Sequence, residues 1–165
     1  MNKIPISKTN NSWTYKPLKA KALSIASGDV QLDYAISGGL IGVQLDIDPA
    51  LAGNDKLVGQ IMIPDEESNM KVLKVFEEIY VKYDKIGDVN IEEYINVDLL
   101  LNINANNING KLEMENDLMK FKLDKPVCVE LGDKITISKT TKSVDSTMKI
   151  IAYGNIVNGK NCSMI

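Results

Sequence analysis

The chain has 165 residues, 44% of them hydrophobic and 25% charged, with a net charge of −3: one folded domain, or two small ones. It contains no His and no Arg, so all 19 basic residues are Lys, and its two Cys are too few for a structural zinc site or a disulfide framework. The missing imidazole excludes Ser-His-Asp and Cys-His catalysis, and the missing guanidinium excludes a bidentate clamp on phosphate.

Alternation dominates the chain from its first third. Val30, Leu32, Tyr34 and Ile36 alternate with Gln31, Asp33, Ala35 and Ser37, the period of a half-buried strand. Gly38-Gly39 interrupts the run. Val43, Leu45 and Ile47 then alternate with Gln44, Asp46 and Asp48, and Pro49, lacking a backbone donor, ends that strand. Leu57 to Ile63 reads as a further strand stopped by Pro64. A domain boundary is expected where the composition turns acidic, at Pro64 to Asn69.

The stretch from Val72 to Tyr83 fits two periods. Val72, Val75, Phe76, Ile79 and Tyr83 have helical spacing, while Ile79, Val81 and Tyr83 also alternate with polar residues, so periodicity leaves helix and strand open. The Asn-rich segment Asn102 to Asn109 predicts a strand entering a hairpin at Asn109-Gly110, with a low-complexity loop as the competing reading. Met119, Phe121 and Leu123 alternate with Lys120, Lys122 and Asp124 up to Pro126. Ile135 and Ile137 follow a Gly132-Asp133 turn, and Ile150 to Tyr153 forms a last apolar run. Short strands between Gly, Pro, Asn and Asp turns predict an all-β fold of barrel or sandwich type.

Charge is uneven. Residues 1–64 hold six Lys against five acidic residues, residues 65–138 nine against sixteen, and residues 139–165 four against one. The acidic middle repels a phosphate backbone, whereas either flank can touch one. There is no apolar run of transmembrane length, no signal-peptide core at the start, and Asn2 stands where myristoylation needs Gly. Cys162-Ser163-Met164-Ile165 fits a prenylation box only superficially, since Ser163 is not aliphatic. No membrane partner and a cytoplasmic location are expected.

Few residues suggest chemistry. Asp46, Asp48 and Asp55 cluster around Pro49, but turn formation accounts for them better than a cation site or an acid–base pair. Glu66-Glu67, Glu77-Glu78 and Glu92-Glu93 read as exposed faces, and Cys128 as a packing residue. No catalytic residue and no metal site are expected.

Four collinear blocks carry a resemblance. Gly38-Gly39-Leu40-Ile41-Gly42-Val43, Asp48-Pro49 and Asp55 to Gln60 together resemble the pattern GGLIGVGTxxDPxLxxxDxLVGQ of the γ subunit of eukaryotic and archaeal translation initiation factor 2. Lys16-Pro17-Leu18 to Ser24-Ile25 resembles the strand leading into it. Lys125 to Ser138 resembles the NPVCxExGxKIxxS segment, and Ile150 to Ile156 the closing LIGxGxI strand. Elongation-factor and selenocysteine-specific relatives share the fold but fit the first block less well. Three departures stand out: Gln44-Leu45 replaces Gly-Thr, the segment from Asp84 to Asp98 is shorter, and Lys139 to Ser143 replaces an Arg-rich turn.

The resemblance implies two elongation-factor-Tu-like β-barrel units. Residues 1–63 would be the C-terminal part of the second domain, an incomplete barrel; 64–160 the third domain; and 161–165 a tail. It favours strand for Phe76 to Tyr83. It implies a binding module that is not an enzyme: GTP and Mg would belong to a further domain, and no GxxxxGK[ST] loop occurs here. Expected partners are initiator tRNA, the α subunit of the same factor, the small ribosomal subunit and an assembly chaperone on the third domain. Gly38, Gly39, Leu40, Ile41 and Gly42 would lie near the pocket for the tRNA 3′ end, where glycines admit a close nucleotide and Leu40 or Ile41 packs on it; a plain turn between strands is the alternative. A free-standing β-barrel binding a small molecule is the competing function.

Overall fold

The computed structural model describes residues 7–9, 12–36, 38–54, 56–65, 73–140 and 148–164. Among these the chain divides into two units. Lys16–Leu57 belongs to one, and Ser7–Tyr15 joins residues from Val58 onward in the other.

The second unit is built on a closed antiparallel barrel of six strands. In chain order these are β6 (Leu73–Lys85), β7 (Asp98–Ile103), β8 (Asn106–Glu115), β9 (Leu118–Glu130), β10 (Lys134–Thr140) and β11 (Met148–Asn161). Their order around the barrel is β10-β11-β6-β9-β8-β7, closed by the pairing of β7 with β10. Closure removes every free edge, which an open sheet of this length would expose. The alternation seen in the sequence sends one set of side chains inward. Leu99, Leu101 and Ile103 meet Ile108 and Leu112, then Met119, Phe121 and Leu123, and Ile135, Ile137, Ile151 and Ile156 complete the core, all nearly or fully buried.

From Leu73 on, the stretch with two possible periods forms strand β6, because Ile79 and Val81 enter the barrel core while their neighbours in the ladder are residues of β9 and β11; Val72 lies outside the described residues. Helical spacing there arises from a phase slip. Phe76 faces inward at an even position and Ile79 and Val81 at odd ones, so one extra residue must be absorbed between them. That residue is Glu77, which is skipped in both ladders, from Phe76 to Glu78.

Several expectations are corrected. The Asn109-Gly110 pair does not turn the chain: the β7–β8 hairpin turns at Asn104, whose φ is 53°, and Asn109-Gly110 lies inside β8. Gly110 is buried where a Cβ would press on Leu101, 2.7 Å away. Strand β9 does not stop at Pro126 but runs to Glu130. Proline is tolerated there because the β6 ladder skips from Val127 to Lys122, so its missing N–H leaves no pairing unmet. Leu57 to Ile63 forms turns up to Gly59 and irregular chain beyond it instead of a strand.

Two further strands, β1 (Ser7–Thr9) and β2 (Ser12–Tyr15), make a hairpin, and β12 (Ser163–Met164) pairs parallel to β2. Residues 161–164, expected as a tail, are thus bound up in the fold. Asn161 ends β11, Cys162 is buried, and the Cys162 amide donates to the Val75 carbonyl at 2.8 Å.

The first unit is a three-stranded antiparallel sheet. Its strands are β3 (Ala22–Ser27), β4 (Val30–Leu32) and β5 (Gly42–Leu45), in the order β4-β3-β5. A single-turn helix, α1 (Pro49–Ala52), follows. The strand expected over Val30 to Ile36 stops at Leu32, leaving Tyr34 and Ile36 80% and 78% exposed. Among the described residues of this unit none is buried. Three short strands make too small a sheet to bury a core of their own.

Candidate functional site

The Gly38 to Gly42 segment connects β4 to β5. Gly38 has φ +116°, a conformation that side chains other than glycine's rarely adopt, so the turn requires it. Leu40 is held by its backbone, whose carbonyl accepts the Ser27 hydroxyl at 3.1 Å, while its side chain is 93% exposed. Ile41 is half-buried and Gly42 begins β5. The five residues form an open apolar turn. A Cβ would meet nothing at Gly38 and only ordinary contacts at Gly39 (Ile41, 3.7 Å) and Gly42 (Ala26 carbonyl, 3.8 Å), so of these three only Gly38, through its φ, is demanded by local geometry.

The acidic cluster around Pro49 resolves into turn chemistry. The Asp48 carboxylate accepts the Ala50 amide at 2.9 Å and caps α1, with Pro49 at its first position. Asp55, Glu66 and Glu67 lie outside the described residues, as does the segment after Thr140 that replaces the Arg-rich turn. Among the described residues no group of three His, Cys, Asp or Glu side chains is placed to hold a metal ion. None of their helices is long and apolar enough to cross a membrane.

The polar centres with real geometry lie on the barrel wall. The Lys120 ammonium is 3.5 Å from both Glu113 and Glu115 and 3.6 Å from Glu78, and sits 5.8 Å from the Tyr80 ring centre. Burial on its own would lower its pKa, but Glu78, Tyr80, Glu115 and Glu113 outweigh it and hold the ammonium well above its ordinary value. Glu113 stands opposite Lys120 in the β8–β9 ladder, so this is a cross-strand charge network that fixes register.

Glu77 stands apart from its neighbours in the chain. Expected on an exposed face, it is instead buried, with 7% of its surface accessible. Its carboxylate takes the Lys160 ammonium at 2.6 Å and the Trp13 amide at 3.3 Å. Burial pushes its pKa up, but the hydrogen bonds from Lys160 and the Trp13 amide, with the charges of Lys160 and Lys122, bring it below the usual carboxylate value. The signal in the sequence is the phase slip between Phe76 and Ile79, which demands a bulge at this position. Glu92 and Glu93 are exposed as expected, in the 3₁₀ turn Ile91–Tyr94.

The environment of both thiols disfavours the thiolate. Cys128 is half-buried and Cys162 buried, and desolvation raises both, Cys162 to about 11.

Comparison with known proteins agrees with this architecture. The family model described as "Initiation factor eIF2 gamma, C terminal" matches residues 70–156, a span that contains β6 to β10 and the start and middle of β11. The chain is 32% identical over 95% of its length to eukaryotic translation initiation factor 2 subunit 3 of Drosophila melanogaster. It is 31% identical over 88% of its length to translation initiation factor 2 subunit gamma of Methanocaldococcus jannaschii. It spans about a third of the length of these relatives, 34% and 36%. Among solved structures, translation elongation factor SelB of Methanococcus maripaludis in its apo form matches 86% of this chain and 33% of its own, with a TM-score of 0.59 and 16% identity. That likeness speaks for an elongation-factor-type fold. With the match covering more than half of the chain and coinciding with the closed barrel, the chain belongs to the initiation factor eIF2 gamma family, whose C-terminal domain it contains.

Proposed function

We propose that this chain is the C-terminal binding module of a translation initiation factor 2 γ subunit. It supports delivery of methionyl initiator tRNA to the small ribosomal subunit and assembly with the α subunit, in the cytoplasm. The observation that carries this reading is the family match over residues 70–156, extended by relatives that align with 88–95% of the chain. In this reading Lys16–Leu57 is the end of the second domain and the barrel is the third, GTP hydrolysis belongs to another domain of the family, and an assembly chaperone engages the barrel.

The Gly38 to Gly42 turn is the proposed contact for the tRNA 3′ end. Its support is an exposed Leu40 beside Gly38, whose positive φ and open surroundings leave the backbone accessible. Any phosphate contact falls to Lys and backbone amides, since the chain has no Arg; a Lys contact is a point charge, and affinity carried by such contacts falls with salt. The test is direct binding, at low salt, of the purified chain to methionyl initiator tRNA and to the C-terminal domain of the α polypeptide. Binding of either supports the reading, and Leu40→Asp is expected to weaken tRNA binding alone. If neither partner binds, the assignment of this module fails.

A further inference from the structure

The dipeptide Asn-Gly occurs twice in the chain, in nearly the same context: Ile108-Asn109-Gly110-Lys111 and Val157-Asn158-Gly159-Lys160. Asn-Gly is unusually prone to intramolecular amide attack, because glycine has no side chain to keep its backbone nitrogen away from the carboxamide before it. With matched neighbours the two sites have the same intrinsic chemistry. Any difference in their reactivity comes from the fold.

The barrel holds them differently. Asn109-Gly110 lies inside β8 and is laddered on both sides, Gly110 pairing with Leu99 of β7 and with Leu123 of β9. Gly110 is buried, and the Asn109 carboxamide is turned to the neighbouring strand, where it donates to Asp124 at 3.5 Å. Asn158-Gly159 lies in β11 past the point where β10 leaves it; among the described residues that pairing ends with Asn155 and Lys134. Beyond it β11 is laddered to β6, through Asn158 with Tyr80 and Gly159 with Ile79. This ladder is irregular on either side of the dipeptide: Val157 is skipped, and a second shift falls between Lys160 and Asn161. Asn158 is exposed, and its Oδ1 accepts the Gly159 N–H at 2.9 Å. The nucleophilic nitrogen thus rests against the carboxamide it would attack. Packing keeps a glycine there, since a Cβ at position 159 would come within 2.5 Å of the Phe76 ring and 2.7 Å of the Glu78 carbonyl oxygen.

We propose that Asn158 is a site of spontaneous deamidation in the folded protein, and that the barrel protects Asn109 from the same reaction. The Gly159 nitrogen gives its proton to solvent and bonds to Cγ of Asn158. The bond from Cγ to Nδ2 breaks, and the nitrogen leaves as ammonia after taking up a proton from solvent. Water then opens the succinimide at either carbonyl to give aspartate or isoaspartate, so that one water is consumed for each ammonia released. Both products add a carboxylate on the face that Asn158 shares with Tyr80, whose hydroxyl already donates to Glu115. Isoaspartate also routes the main chain through the side-chain methylene. That lengthens β11 and disturbs its pairing past residue 158, where Lys160 binds Glu77 and the Cys162 amide binds Val75. The modification is separate from the translation role proposed above.

The full chain is held in mildly alkaline buffer, folded or unfolded in urea, and sampled over time. Peptides spanning each site are followed by mass spectrometry, and isoaspartate is detected with an isoaspartyl methyltransferase. In urea the two sites are expected to convert at equal rates. In the folded chain Asn158 is expected to convert about tenfold faster than Asn109, whose glycine nitrogen is released only when a two-sided ladder opens. Asn158→Ser is expected to remove most of the ammonia that the folded chain releases. In the isoaspartate fraction, amide exchange at Cys162 is expected to rise while Leu101 and Phe121 keep theirs. Equal rates at the two sites in the folded chain, or conversion of Asn158 in urea alone, would overturn the proposal. A Cys162 amide still protected in the isoaspartate fraction would overturn the disturbance of β11.

Discussion

At the scale of single residues, Glu77 decides more than its place in the sequence suggests. Its folded pKa lies below the ordinary value of 4.5, so the bound charge stabilises the fold above that value, and the stabilisation is lost as pH falls through the lowered folded value. Unfolding by urea from pH 6 down to pH 3 is therefore expected to show the parent protein losing stability relative to Glu77→Gln, the two curves converging at the acid end. Parallel curves would mean that Glu77 is not held as an ion. Gly154 makes the complementary point about space. A Cβ at this position overlaps the Lys82 carbonyl and comes within 2.9 Å of Tyr83 Cα and Val81 Cγ1. Two of those are backbone atoms that cannot rotate away, so Gly154→Ala is expected to cost about 1–3 kcal/mol in thermal unfolding.

At the scale of elements, the hairpin of β7 and β8 shows how a turn is chosen by its surroundings. Asn-Gly is the stronger local turn signal, yet turning at Asn109-Gly110 would strip Ile103 and Ile108 from the core and open the barrel. The chain turns instead at Asn104, and the Asn104 amide side chain donates to Asp133 at 3.1 Å, tying the turn to the β9–β10 connection. The next strand anchors the segment after Leu57 as well. The Asn106 side-chain amide donates to the Gly59 carbonyl at 2.6 Å in a part-buried setting, and Gly59 has φ +77° with no room for a Cβ against Asn106. Asn106→Ala is expected to cost about 1 kcal/mol and to raise amide exchange in residues 58–63 without touching β8. Unchanged exchange there would show that the segment is held by other contacts.

At the scale of the whole molecule, the two units differ in how well they can stand alone. The barrel buries a continuous core, whereas no described residue of Lys16–Leu57 is buried and Leu40, Tyr34 and Ile36 face outward. Calorimetry of the full chain is expected to show one cooperative transition, that of the barrel. A peptide of residues 16–57 by itself is expected to show none, because so little apolar area leaves water on folding. A second sharp transition from the isolated peptide would refute this.

The all-β class, the family and the inward and outward faces of strands such as β9 were legible in the residues. Period-two alternation records which side chains a strand must bury, and the Gly38 to Gly42, Asp48-Pro49 and Lys125 to Ser138 blocks survive as local patterns. The candidate turn at Gly38 was legible for the same reason, since positive φ is a local demand. What the residues left undecided depends on partners far away in the chain. Whether residues 73–83 coil or extend, where β8 begins, that Glu77 is buried against Lys160 and Trp13, and that Ser163 and Met164 pair with Thr14 and Tyr15 were settled only by tertiary structure. Each is a long-range pairing, and a strand's ladder partners and the closure of its barrel leave no period in the segment that supplies them.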